Sequence, residues 1–147
     1  MIQTKEFAMV NNKIKVILVD THENVRNSFR NLLEKERDIE VVAEVKNVTL
    51  YIQHAVMLKP DVFVLNMNLS GINICHTISY IIASIPDTKV LVVSFYSNSL
   101  FVLRTLYAGA SGYMLEDHAY EELALAIRTV VSNHMYVSPG IAGIVKE

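Results

Sequence analysis

Residues 13–36 read KIKVILVDTHENVRNSFRNLLEKE, and this stretch decides the fold. Its first seven residues are rich in β-branched side chains and stop just before Asp20, as expected of a buried parallel strand. From residue 23 onward, charged residues separate a set of apolar side chains at helical spacing: Val25, Phe29, Leu32 and Leu33. The stretch therefore predicts a strand followed by an amphipathic helix.

The same alternation continues along the chain. The further predicted strands are 39–45, 61–65, 89–93 and 112–115, and the predicted helices are 23–36, 48–58, 72–84, 98–108 and 118–132. Alternating buried strands and amphipathic helices form parallel sheets joined by right-handed crossovers. We therefore predict an α/β fold of the flavodoxin-like (βα)5 type, with a five-stranded parallel sheet and helices on both faces.

Composition limits the class of protein. A chain of 147 residues is long enough for one domain with its own core. The net charge of −2 provides no basic stripe for a phosphate backbone, so we expect no direct nucleic-acid binding by this segment. The single cysteine, Cys75, cannot form an internal disulfide. Apolar runs are shorter than the roughly 20 residues of a membrane span, and no signal peptide is evident, so we expect a cytoplasmic protein without membrane contact.

Domain organisation follows from the pattern. Residues 1–12 have no clear period, and we expect a disordered leader or an expression remnant. Residues 13–135 form the predicted domain. Residues 136–147 begin YVSPGIAG, which is more typical of the start of a linker than of a closing element.

Polar residues follow several predicted strands. In open parallel sheets, binding sites lie at the carboxyl ends of the strands, where the chain order switches. We therefore expect these strand-end residues to converge: Asp20, Thr21, Asn66, Ser94 and Glu116.

At these positions the chain resembles the receiver domain of two-component response regulators, in particular the NarL-like, or LuxR, transcription regulators. The resemblance extends from about residue 13 to residue 139. Its most specific parts are VILVD and THENVRNSFRNLL (16–33), KPDVFVLNMNLSG (59–71), PDTKVLVVSFYS (86–97) and YAGASGYMLEDHAYEELALAIRTV (107–130).

The resemblance implies a phosphorylation site that this sequence has lost. In the family, an acidic pair after the first strand holds Mg²⁺, an aspartate after the third strand attacks the phosphoryl donor, and a Ser or Thr and a Lys receive the phosphate oxygens. Here Thr21 replaces the second acid, Asn66 the nucleophile and Glu116 the lysine, while Ser94 keeps its role. A neutral amide cannot form the acyl phosphate, and a carboxylate repels phosphate. We expect a degenerate pocket with no cofactor and no metal.

Other readings of these residues remain open. Thr21 and Asn66 could simply satisfy local hydrogen bonds, and Glu116 could point into solvent. Tyr113 matches the aromatic residue that swings inward in the family, although core packing would also explain it. Asn68 matches a position whose main-chain carbonyl helps to hold the metal.

Two groups of residues could suggest a metal site. Cys75 and His76 are adjacent on a helix and point about 100° apart, so they make a poor pair of ligands. Glu116, Asp117 and His118 could form a chance cation site near Asp20, but we expect Asp117 to be a helix N-cap.

The sequence therefore predicts an atypical receiver, a non-enzymatic signalling module that forms homodimers through the first, fourth or fifth helix. A C-terminal helix-turn-helix domain would bind DNA for transcription regulation. One alternative is a stand-alone adaptor that binds a partner protein, and another is a receiver phosphorylated on Ser94 or His22. A third is a small molecule or anion in the old pocket, although Glu116 argues against anions.

Overall fold

The computed structural model describes residues 12–66 and 71–145. Five strands and helices alternate: β1 (Ile14–Val19), α1 (Glu23–Glu34), β2 (Ile39–Val45), α2 (Val48–Leu58), β3 (Val62–Asn66), α3 (Gly71–Ser84), β4 (Lys89–Ser94), α4 (Ser99–Tyr107), β5 (Gly112–Leu115) and α5 (Ala119–Val131). A 3-10 turn (Glu116–His118) joins β5 to α5. The chain continues through β6 (Tyr136–Val137), a second 3-10 turn (Pro139–Ile141) and α6 (Ala142–Val145).

The sheet is parallel and follows the order β2-β1-β3-β4-β5-β6. The α/β flavodoxin-like fold is confirmed, but the prediction of five strands is wrong, because the described residues form six. The sixth strand falls in the stretch 136–147, which we read as the start of a linker. Main-chain hydrogen bonds from Tyr136 N to Ser111 O (3.2 Å) and from Ser138 N to Tyr113 O (3.1 Å) attach it to β5. A strand of two residues has no periodicity that a sequence pattern could reveal.

Helices cover both faces of the sheet, as predicted. On one face α1 and α5 pack together, where Phe29 and Leu33 share a buried cluster with Leu123 and Ile127. On the other face a second cluster joins α2, α3 and α4 to the sheet. None of the helices in the described part of the chain is long and apolar enough to cross a membrane.

Local sequence explains several helix ends. Asn47 caps α2 by accepting from Thr49 N at 2.9 Å, and Asn98 caps α4 by accepting from Phe101 N at 3.2 Å. Helix α1 ends at Glu34, two residues before the predicted end. Gly109, with φ of +119°, turns the chain from α4 toward β5, and a Cβ there would lie 2.4 Å from Ile82 Cδ1.

The order of the strands determines where the candidate site lies. Strand β1 pairs with both β2 and β3, so the chain order reverses at β1. The last residues of β3 and β4 and the residues that follow β1 and β5 therefore meet at one edge of the sheet.

Candidate functional site

The centre of the strand-end site is the side-chain amide of Asn66. Its nitrogen Nδ2 donates to Asp20 Oδ2 at 2.8 Å and to Glu116 Oε1 at 2.8 Å. A primary amide carries two N–H groups, so each carboxylate takes one of them. In the opposite orientation the amide oxygen would face both carboxylates, and three acceptors would repel one another. Asp20 and Asn66 are almost fully buried, and Glu116 is partly exposed.

The N–H groups of the Asn66 amide, and not its oxygen, set the orientation of the side chain. Oδ1 is buried and has no hydrogen-bond partner among the described residues. The amide keeps this orientation because both of its N–H groups bind carboxylates, and hydrogen bonds to charged groups are the stronger kind.

Asp20 is held on its other side by the start of α1. The main-chain N–H of His22 donates to Asp20 Oδ1 at 2.8 Å, and His22 Nδ1 lies 3.4 Å from the same oxygen. Arg26 Nη1 donates to the main-chain oxygen of Asp20 at 2.7 Å, and its Nε lies 3.8 Å from Glu44 Oε1. Arg26 was not predicted as a site residue, because it lies six positions after Asp20 and no motif connects the two.

Thr21 lies at the edge of the site. Its side chain is exposed, and its hydroxyl oxygen is 3.4 Å from His22 Nδ1. The structure thus joins Asp20, Asn66 and Glu116 directly, while Thr21 contacts His22 instead. Asn68 lies outside the described residues.

Ser94 and Tyr113 form a second hydrogen-bonded group with Tyr96. The phenol of Tyr113 is fully buried and donates to Tyr96 O at 2.6 Å, while Tyr96 N donates to Ser94 Oγ at 3.1 Å. Burial raises the pKa of Tyr113 to about 12, although a hydrogen bond with the Ser94 side chain opposes this increase. Tyr113 therefore occupies the inward position and is held there by main-chain and side-chain contacts. Tyr96 was not predicted as a site residue.

The start of α5 differs from the prediction that Asp117 caps this helix. Asp117 is inside the 3-10 turn, and the N-cap of α5 is His118, which makes no side-chain cap hydrogen bond. The extra turn shifts the first helical residue past Asp117, so its carboxylate is not in the cap position. His118 Nδ1 instead lies 3.8 Å from Glu122 Oε2.

The tail, which is the segment after α5, packs against the end of β5, next to the site. Leu115 N donates to Ser138 Oγ at 3.0 Å, and Ser138 is fully buried. The hydroxyl of Tyr136 donates to Glu122 Oε1 on α5. The segment after α5 therefore binds β5 at the residue that precedes Glu116.

The chain belongs to the response regulator receiver domain family, whose model matches residues 16–128. Over 129 residues it is 35% identical to the response regulator GacA of Pseudomonas aeruginosa, covering 88% of this chain and 60% of that protein. It is 29% identical over 137 residues to the transcriptional regulatory protein DegU of Brevibacillus brevis, covering 92% of this chain and 58% of that one. The chain thus spans less than two thirds of the length of these relatives.

A solved structure gives the same fold. The crystal structure of a LuxR-family two-component response regulator from Aurantimonas sp. SI85-9A1 superposes with a TM-score of 0.82 at 28% identity, and covers 91% of this chain and 96% of that chain.

The magnesium ion of the family does not fit this set of residues. Of the acidic pair after β1 only Asp20 is present, and the exposed hydroxyl of Thr21 lies by His22. The group between Asp20 and Glu116 is an amide N–H donor, which cannot be a metal ligand. Among the described residues, no three His, Cys, Asp or Glu side chains are grouped to hold a metal ion.

Proposed function

We infer that this chain is an atypical receiver domain, a non-enzymatic cytoplasmic module that signals through association and not through aspartyl phosphorylation. The observation that carries this proposal is the pair of 2.8 Å hydrogen bonds from Asn66 Nδ2 to Asp20 and Glu116. In this arrangement the last residue of β3 is a donor between two carboxylates, and not a carboxylate available to a phosphoryl group.

The chemistry of the site supports loss of phosphoryl transfer. Transfer to a receiver needs a nucleophile and cations that neutralise the charge on the phosphoryl oxygens. Asn66 provides a neutral amide, whose oxygen is a weak nucleophile. Glu116 adds negative charge where an incoming phosphoryl group would need a cation.

The position of Tyr113 supports a fixed state. Its hydroxyl already bonds to Tyr96, and the Ser94 oxygen already accepts from Tyr96 N. No phosphate is needed to bring Ser94 and Tyr113 together. We propose that the domain is held in one conformation, which serves as a platform.

The proposed partners of this domain are a C-terminal DNA-binding domain and a second copy of the chain. The relatives are longer than this chain, and DegU is named a transcriptional regulatory protein. We propose that a C-terminal DNA-binding domain follows and that the receiver controls it as a homodimer. Exposed apolar side chains on α4 and α5 support self-association: Leu100, Tyr107 and Leu125 are each more than half exposed.

Intact mass measurement after treatment with acetyl phosphate and Mg²⁺ tests the loss of phosphorylation. We expect no added phosphoryl group. A triple variant, Thr21→Asp with Asn66→Asp and Glu116→Lys, rebuilds the family's residues in the same scaffold and is the positive control. Light scattering with and without beryllofluoride should show a dimer that does not respond to it. A stable phosphoryl group on the unaltered chain, or a ligand-dependent change in its mass, would contradict the proposal.

Peptide mapping in the same experiment separates the alternative phosphoacceptors. Ser94 is fully buried, which counts against it, whereas the side chain of His22 is 71% exposed. A phosphoryl group found on His22 would replace our proposal with that of a non-standard receiver. A stand-alone adaptor is the alternative if the full-length protein lacks a DNA-binding domain.

A further inference from the structure

A cleft of about 390 Å³ lies between α1 and the start of α5, with Glu116 in its wall. This volume falls in the range of about 300–1,000 Å³ that is typical of small-molecule sites. Two further polar side chains, His22 and Ser28, line the cleft beside Glu116. The rest of the wall is apolar or aromatic: Val25, Phe29, Phe95, Ala119 and Tyr120.

The electrostatics of the cleft favour a cation. Glu116 lines it directly, and the Asn66 amide links Glu116 to the buried carboxylate of Asp20. The nearby Arg26 is engaged by Asp20 O and Glu44, and the described residues that line the cleft include no Lys or Arg. The one basic side chain among them is His22, whose Nδ1 lies 3.4 Å from Asp20 Oδ1. A carboxylate beside low-dielectric walls attracts a positive group more strongly than one in bulk water.

The aromatic residues determine which cations would fit. Phe95 is 61% exposed and Tyr120 is 72% exposed, so both offer ring surface to a ligand. Val25 and Phe29 lie one turn apart on α1, and Phe29 is buried in the core, which gives the cleft a packed apolar floor. Aromatic faces bind organic cations and cover apolar groups, whereas a hydrated metal ion gains little from such walls.

We propose that this cleft binds a small organic cation, a primary ammonium group on an apolar or aromatic body. The ammonium lies against Glu116, and the body packs against Phe95 and Tyr120. This site goes beyond the function proposed above. It depends on Glu116 and the cleft walls, and it does not depend on whether the chain can be phosphorylated.

Three probes of the same shape test the proposal: 4-phenylbutylamine, 4-phenylbutan-1-ol and 4-phenylbutyrate, which are cationic, neutral and anionic. Each is titrated into the ¹⁵N-labelled full chain, and binding is followed by amide chemical shifts. We expect shifts around the cleft and an affinity for the amine about tenfold above that for the alcohol, the size of one charge-assisted contact. The carboxylate should bind most weakly.

Variants locate the interaction. Glu116→Gln keeps an oxygen that can accept from Asn66 but removes the charge, so the amine should lose its advantage over the alcohol. Ser28→Leu fills the cleft from α1 and should weaken all the probes that bind. Glu121→Gln removes an exposed carboxylate of α5 that is not in the cleft wall, and it should change nothing.

Three results would overturn the proposal. The first is equal affinity for amine and alcohol, or no saturable shifts with the amine. The second is an amine preference that survives in Glu116→Gln. The third is cleft shifts that depend on protein concentration and not on the probe, which would assign the cleft to a second copy of the chain. The mass measurement of phosphorylation is independent of each of these results.

Discussion

Asn66 Nδ2 lies 2.8 Å from Glu116 Oε1, so the last residue of β3 donates to the residue after β5. In the family, the residues at these two positions are a carboxylate, which accepts, and a lysine, which donates. In this chain the roles are reversed, because Asn66 donates and Glu116 accepts. Exchanging both members preserves a hydrogen-bonded contact across the site.

Asn66→Asp should lower the free energy of unfolding by about 2–4 kcal/mol at pH 7, since it removes two donors and leaves three carboxylates together. Adding Glu116→Lys should recover part of this loss, although Glu116→Lys alone should be destabilising. The loss should shrink as the pH falls and a carboxyl group takes up a proton. Urea unfolding of the two single variants and the double variant measures the coupling, and strictly additive effects would refute the contact.

Tyr113→Phe tests the buried phenol. Losing the hydrogen bond to Tyr96 should cost about 1 kcal/mol at pH 7, and Tyr96→Phe, which keeps the main-chain acceptor, is the control. Because burial raises the pKa of Tyr113 to about 12, the protonated phenol stabilises the fold below the unfolded pKa of about 10. That stability is lost as the pH rises from about 10 through 12. Across this range, the free energy of unfolding should fall more steeply with increasing pH in the unaltered chain than in Tyr113→Phe.

Arg128 joins α5 to the loop before β2. It donates to Asp38 Oδ1 at 2.7 Å and Oδ2 at 2.8 Å, and to Glu36 Oε1 at 2.5 Å. Arg128→Ala should cost about 1 kcal/mol, because the pairs are partly exposed, and Arg128→Lys should recover less than half of it. Arg37→Ala, an exposed change in the same loop, is the control.

The stability that the Arg128–Asp38 pair contributes also depends on pH. The hydrogen bond from Arg128 lowers the pKa of Asp38 below its ordinary 3.8, against the opposing effect of burial. A lowered pKa gives stability that is present above 3.8 and is lost as the pH falls through the folded value. The difference between the unaltered chain and Arg128→Ala should therefore shrink below about pH 4. A constant difference down to pH 2 would rule out this pairing.

Ser138→Ala tests the docking of the tail. The change removes the acceptor of the Leu115 N–H and a buried hydroxyl, so we expect a loss of about 1–2 kcal/mol. Hydrogen exchange should speed up selectively at the Leu115 amide. Ser132→Ala, which is exposed on the turn after α5, should cost much less. Unchanged exchange at Leu115 in Ser138→Ala would show that the tail does not hold β5.

Much of the fold and the membership of the site follow from the sequence alone. Strand and helix periods are local, so runs such as 13–19 and 23–34 specify their own structure. Parallel connection then brings Asp20, Asn66 and Glu116 to one edge of the sheet. Their identities already indicate that a carboxylate nucleophile and a lysine are absent.

Only the tertiary structure decides how these groups interact. Asn66 is 46 residues from Asp20 and 50 from Glu116, and the orientation of its amide depends on both carboxylates being present together. The sixth strand exists because the main-chain N–H groups of Tyr136 and Ser138 find acceptors at Ser111, just before β5, and at Tyr113 on β5. Asp117 is not a cap because a 3-10 turn precedes α5. The cleft beside Glu116 needs α1 and α5 packed side by side. Periodicity specifies elements, whereas hydrogen-bond direction, caps and concave surfaces depend on distant residues meeting in space.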